Sequence, residues 1–396
     1  MAANPWRSLR GLPTTVWWLA LATLVNRAGT MVLPFMALYL TRCLGWSPQQ
    51  AALILVFYGA SSLLAGPTSG RLCDRYGAGR VMACSLLCSA LVMLAFPLAH
   101  SFRAVALATV CLSLTSEAFR PAGMAVLSEL LPADQRKQGF ALNRLAVNLG
   151  MSIGPVVGGI LAGRWFPAVF LADGVTALLS TLLLARLFLV GGHSSPSTSA
   201  ERTGLPAWRN PRFLTFLAGV FTVGLVFFQL DSAMPLHLVE NLGLDERQFG
   251  LMFTVNTSLI ILFELPLNAA TADWPLTRSL LVGCAFIGLG FGSLALVHTA
   301  GQAALTVVVW TIGEMILFPA QSAQVSALSP GGRNGEYMGL FTSTFGLAFT
   351  LGPALGVYLL GRLGPGALWP LTFLVALTAG WLMYRSGLET NLETGR

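Results

Sequence analysis

The chain has 396 residues, of which 55% are hydrophobic and 10% charged, and its mean hydropathy is +0.71. A soluble domain carries about 25% charged residues, so this chain could not cover a water-facing surface, and disorder needs the opposite composition of low hydrophobicity and high charge. The net charge of +7 would suggest nucleic acid in a soluble protein; here its distribution along the chain matters more, and no nucleic-acid partner is expected.

Crossing a bilayer takes about 20 apolar residues. Runs of that kind predict spans at 14–40, 48–69, 80–99, 103–128, 139–162 and 166–189, then at 212–239, 247–268, 279–298, 302–326, 337–360 and 367–385. The first is expected to be a retained span rather than a cleaved leader, because it is long and holds Asn26 and Arg27 within its apolar stretch. Between the sixth and seventh spans lies Gly191–Arg212, rich in Ser, Thr, Pro and charge, which is linker composition. The predicted organisation is a first bundle over 1–189, a cytoplasmic linker over 190–211 and a second bundle over 212–396.

With the N-terminus cytoplasmic, 15 of the 23 basic residues fall on the cytoplasmic side. Five fall outside (Arg42, Arg103, Arg164, Arg247 and Arg362), and Arg27, Arg120 and Arg144 lie within spans. The positive-inside rule then places both termini in the cytoplasm. Lysine occurs once, at Lys137, against 22 arginines, a skew typical of a GC-rich bacterial genome and hence of a bacterial inner membrane. The six cysteines show no metal spacing, and Cys84 and Cys88 read as small buried hydrophobes. Histidines 100, 193, 237 and 298 are expected at outer ends or in the linker, and most of the tryptophans, Trp369 among them, in interfacial belts.

Half the chain repeats the other half. Gly154-Pro155 matches Gly352-Pro353 at an offset of 198, as Pro132 matches Pro330 and Pro121 matches Pro319. Two similar six-span halves joined by a linker indicate a transporter built on repeats. The expected fold is an all-α membrane protein with twelve transmembrane helices in two pseudo-symmetric six-helix bundles.

Two segments stand out within the first half. The loop after span 2 carries Gly70, Asp74, Arg75, Gly77 and Arg80; an acid there can bond helix N-termini across the inner face and latch one conformation. In span 5, Gly150, Gly154 and Gly158 recur every four residues, followed by Gly159 and with Pro155 between them. A small-residue stripe lets helices approach closely, and the proline adds a kink or hinge. With these two segments the chain resembles the major facilitator superfamily: the loop looks like its motif A, with Ala78 at a usually basic position, and span 5 looks like its motif C. The closest look is to bacterial 12-span drug/proton antiporters. The resemblance implies transport rather than catalysis, by rocking alternating access around a small-molecule site at mid-depth.

Charges inside the bilayer cost at least about 2.5–3.5 kcal/mol each, so each must face a partner or a cavity. Glu117 and Arg120 stand at i and i+3 in span 4, hence on one face, either as a structural ion pair or with Glu117 carrying a proton. Arg144, Asn148 and Ser152 form a polar stripe on span 5 opposite its glycines. Glu314 sits in mid-span 10 with no basic partner in its own span. Arg27 could hold an anionic substrate group or partner Glu117. The expected cavity comprises Asn26, Arg27, Glu117, Arg120, Arg144, Asn148, Gln229, Asp231, Asn256 and Glu314, with Glu117 and Glu314 as titrating candidates. The resulting expectation is proton-coupled efflux of a drug-like or amphipathic compound by a monomer in the lipid bilayer, with the proton as coupling ion and no cofactor. The alternatives are a carrier of a specific metabolite, sugar or organic anion, and a lipid flippase.

Overall fold

The computed structural model describes residues 11–191, 204–244 and 246–393, and these residues form helices without strands. In the first half they are α1 (Thr14–Ala28, resuming as Val32–Leu38), α2 (Pro48–Tyr76), α3 (Ala78–Ala95), α4 (Phe102–Leu130), α5 (Ala133–Arg164) and α6 (Pro167–Gly191). In the second half they are α7 (Pro211–Phe227, followed by shorter turns to Asn241), α8 (Glu246–Ala270), α9 (Leu276–Gly292), α10 (Ala300–Leu328), α11 (Asn334–Leu363) and α12 (Pro365–Glu393). Among the described residues eleven helices are long and apolar enough to cross a membrane. The pieces of α1 fall short individually because that span is broken between Ala28 and Val32. Its second piece starts under a cap borrowed from α6: Asp173 Oδ2 accepts the backbone N–H groups of Met31 and Val32, each at 3.2 Å. A buried carboxylate satisfies donors that a helix start leaves orphaned.

The 198-residue repeat is structural. The proline-bearing helices α4 and α10 share their length of 29 residues and their boundaries at that offset. Packing repeats too: α1 packs on α5 and α6 as α7 packs on α11 and α12, while α3 packs on α4 and α6 as α9 packs on α10 and α12. Two seams join the bundles, α2 against α11 and, at the symmetry-related place, α5 against α8. Ser128 on α4 and Ser326 on α10, also 198 residues apart, hydrogen-bond to each other where the two halves meet.

The expected linker begins later than the composition suggested, since α6 continues to Gly191. Its last residues dock on the start of α11: Glu336 Oε1 accepts the Ala207 N–H at 3.1 Å, and the Tyr337 hydroxyl donates to the Leu205 carbonyl at 3.1 Å. This fixes the linker end of the molecule.

Several side chains sit where the sequence did not place them. His237 is buried, with its Nε2 3.2 Å from the Leu294 carbonyl, because the shorter turns after α7 fold it back into the second bundle. Trp369 is fully buried and stacks at an angle on His237. Cys84 and Cys88 are exposed on α3 rather than interior.

Candidate substrate and proton site

At the linker end both seams are closed. On the first, backbone meets backbone: a Cβ at Gly339 or Gly335 would collide with the Gly66 or Gly70 carbonyl oxygen. Asp74 completes this contact. Its Oδ1 accepts the Gly335 N–H at 2.7 Å and its Oδ2 the Glu336 N–H at 3.0 Å, so the carboxylate sits on the positive end of α11. Gly77 makes the one-residue turn from α2 into α3 at φ +90°, a conformation that a residue with a Cβ resists. Arg75 lies over the Tyr76 ring and Arg80 is exposed.

The second seam is charged. Lys137 on α5 reaches across to the end of α8 and the first turn of α9, where Nζ donates to the Thr271 carbonyl at 2.8 Å and to the Thr271 and Ser279 hydroxyls at 2.9 and 3.1 Å. Two turns further along α5, Arg144 enters the second bundle. Its Nη1 lies 2.7 Å from Glu264 Oε1 and its Nη2 2.6 Å from Glu314 Oε1. Glu264 on α8 is fully buried and Glu314 on α10 nearly so. Asn256 donates to Glu314 Oε2 at 2.8 Å, and the Phe318 ring lies 5.1 Å below the guanidinium. Two carboxylates thus share one arginine. The partner that Glu314 lacks in its own span comes from 170 residues away.

In the first bundle Glu117 does not pair with Arg120. The Tyr58 hydroxyl donates to Glu117 Oε1 at 3.0 Å, while Arg120 makes no hydrogen bond or ion pair among the described residues. Both line a cavity with Ser62, Leu63, Thr342 and Ser343, between α2, α4 and α11. Among the described residues Arg27 also forms no ion pair; its Nε is buried without an acceptor and its guanidinium lies 5.8 Å from the Phe119 ring centre. Asn148 Nδ2 is likewise buried without a partner. Asn26 lends only its carbonyl, to the turn that closes the first piece of α1. Farther from the linker Thr350 is exposed, and no atom lies within 4 Å of a Cβ at Gly59.

The glycine stripe of α5 packs on α1. A Cβ at Gly150 would sit 2.5 Å from Arg27 Cβ, and one at Gly154 2.9 Å from the Thr30 carbonyl oxygen; Gly158 and Gly159 face Phe35. The stripe therefore seats α5 on the broken span. The Pro155 and Asp231 side chains lie outside the described residues. Gln229, expected on the cavity wall, is buried inside the second bundle, where its Nε2 donates to the Leu225 and Gly352 carbonyls at 2.7 and 2.9 Å. Glu264, Lys137, Tyr58 and Asp173 were not among the expected site residues. The available signal for Glu264 was an acid within the apolar run Ile260–Leu265.

The family model described as Major Facilitator Superfamily matches residues 19–310 and 230–386. The chain belongs to the major facilitator superfamily. The family and its fold point to transport of a small molecule across a membrane rather than to catalysis. Among its relatives, the Na(+), Li(+), K(+)/H(+) antiporter of Planococcus maritimus is 23% identical, over 83% of this chain and 84% of its own. The multidrug resistance protein MdtH of Aeromonas hydrophila is 24% identical, over 89% of this chain and 87% of its own. Among solved structures, a bacterial homologue of the iron transporter ferroportin in an outward-facing state superposes with a TM-score of 0.75, at 19% identity over 94% of this chain and 99% of that one. The likeness is one of fold.

Proposed function

We propose that this protein exports an amphipathic small molecule in exchange for protons, by alternating access, from the inner membrane of a bacterium. The observation that carries this is Arg144 held between Glu264 and Glu314 across the second seam. With all three groups ionised the cluster has a charge of −1, and one proton makes it neutral. The arginine belongs to the first bundle and both acids to the second, so parting of this seam strips the acids of their counter-charge. An uncompensated buried carboxylate is costly, and uptake of protons relieves that cost; reclosure returns the arginine and expels a proton. Glu117, facing the cavity under Tyr58, is the second candidate carrier. The names of two relatives, an ion/proton antiporter and a multidrug resistance protein, agree with this reading. The linker end is taken as cytoplasmic from the excess of basic residues there, and the working unit as a monomer without a cofactor.

Transport in proteoliposomes under an imposed pH gradient tests the proposal. Glu264→Gln with Glu314→Gln is expected to abolish gradient-driven uptake and to leave substrate exchange at equal pH in place. Gradient-driven uptake that survives in the double variant, and in Glu117→Gln as well, sinks the proton-carrier assignment.

A further inference from the structure

The two walls of the site differ in what they leave unsatisfied. On the second bundle the buried acids are partnered: Glu264 and Glu314 share Arg144, which reaches across from α5, and Asn256 holds the remaining oxygen of Glu314. On the first bundle the surplus is of donors. Arg27 and Arg120 have no acceptor among the described residues, and the buried Asn148 Nδ2 has none either. Arg27 lies within electrostatic reach of Glu117, Arg120 and Asp173, but neither carboxylate pairs with an arginine among the described residues: Glu117 accepts from Tyr58 and Asp173 from the Met31 and Val32 N–H groups. Charged donors held in a low-dielectric setting without acceptors are expensive.

We infer that Arg27 and Arg120 bind the anionic group of the substrate, and that the transported compound is an amphipathic organic anion, a carboxylate being the simplest case. The charge that balances this wall arrives with the cargo. A lipophilic cation placed there would meet two arginines that have no ion-pair partner among the described residues. For the apolar body the second bundle offers a run of rings: Phe318 beneath Arg144, Phe345 at 5.5 Å from it, Phe228 at 5.1 Å from Phe345, and Phe349 at 5.0 Å from Phe228. Phe349 is exposed and Phe345 half-buried. Arg120 shares its cavity with Thr342 and Ser343 of α11, which sets the anion-binding group beside the helix that bears Phe345 and Phe349. A molecule with its anionic head toward α1 and α4 and its rings on α11 would span the cleft.

The inference rests on the proposed transport function but is tested apart from its proton coupling. The full-length protein in nanodiscs, at one pH and without a gradient, is titrated with radiolabelled 2-naphthoate and with trimethyl(2-naphthylmethyl)ammonium, which carry the same ring system and opposite charge. The expected result is naphthoate binding at least about tenfold tighter, with a further loss of about tenfold in Arg27→Gln and in Arg120→Gln, the scale of one charge-assisted hydrogen bond. Arg120→Lys, which keeps the charge, should retain the preference for the anion; a role in packing alone would not follow charge in this way. Preference for the ammonium compound, absence of saturable naphthoate binding, or naphthoate binding that is indifferent to both arginines overturns the inference. If the glutamine variants do not fold, the preference of the unaltered protein decides. Anion binding that persists while pH-driven uptake fails would instead overturn the proton coupling and leave this assignment standing.

Discussion

The two seams between the bundles are related by the same pseudo-two-fold as the bundles themselves, yet they are closed by opposite chemistry. Where α11 has Gly335, 198 residues earlier α5 has Lys137. On the α2–α11 seam a carboxylate, Asp74, sits on a helix N-terminus, and the backbones touch through glycines. On the α5–α8 seam an ammonium, Lys137, sits at a helix C-terminus and takes its carbonyl. Each charge has the sign that the helix dipole favours at that end, and both are supplied by the first bundle. The lesson is that the repeat preserves where the halves meet and leaves open how each meeting is made. One seam depends on closeness of approach, the other on charge that can be matched or lost.

That contrast can be broken at several points. Removing Arg144 should do most, since Arg144→Met leaves two carboxylates facing each other without a base, an uncompensated buried charge of the kind that costs about 3–5 kcal/mol. The expected outcome is a clear fall in melting temperature and loss of transport, and partial recovery of stability when Glu264→Gln is added would confirm the cause. Next comes the glycine contact of the α2–α11 seam. Gly339→Val forces side-chain atoms into the Gly66 carbonyl, and overpacking of this sort costs up to about 3 kcal/mol. Interspin distances between labels at the linker ends of α2 and α11 should lengthen, whereas an unchanged distribution would mean that the seam tolerates the bulk.

Lys137→Met loses three hydrogen bonds from a charged donor, an effect of about 2 kcal/mol on closure. Backbone amides around Thr271 should exchange faster with deuterium, and those at the start of α11 should not. The smallest effect is expected for Asp74→Asn, which keeps an acceptor but loses the charge–dipole attraction, worth about 1 kcal/mol; exchange should quicken at Gly335 and Glu336 alone. Should either substitution loosen both ends together, the seams are one cooperative unit and the contrast between them is only local.

Much of this architecture was legible in the sequence, because it follows from properties of single segments. Apolar run length gave the spans, and three proline or Gly-Pro pairs at a common offset gave the two halves. The Arg144–Asn148–Ser152 stripe marked the polar side of α5, and the acid at Asp74 anticipated a bond to a helix start. What escaped depends on which helices become neighbours. Glu264 has no counterpart in the first half, where Gly66 stands at the same offset, and its partner lies 120 residues away. Lys137 read only as one more cytoplasmic positive charge, since nothing local shows that it is aimed at the end of α8. The pairing of Glu117 with Arg120, suggested by helical spacing, yields to Tyr58 from α2, which spacing within α4 cannot foresee.

Ser128 and Ser326 have a consequence for how such a molecule can be built at all. A residue lying on a two-fold axis is confronted with its own equivalent, and most polar groups cannot meet a copy of themselves in a buried place: two lysines or two carboxylates repel. A hydroxyl can, because one donates while the other accepts. The axis therefore emerges through a short polar side chain that is complementary to itself. Residues off the axis never face their equivalents, and there the halves were free to diverge into the acid of one seam and the base of the other.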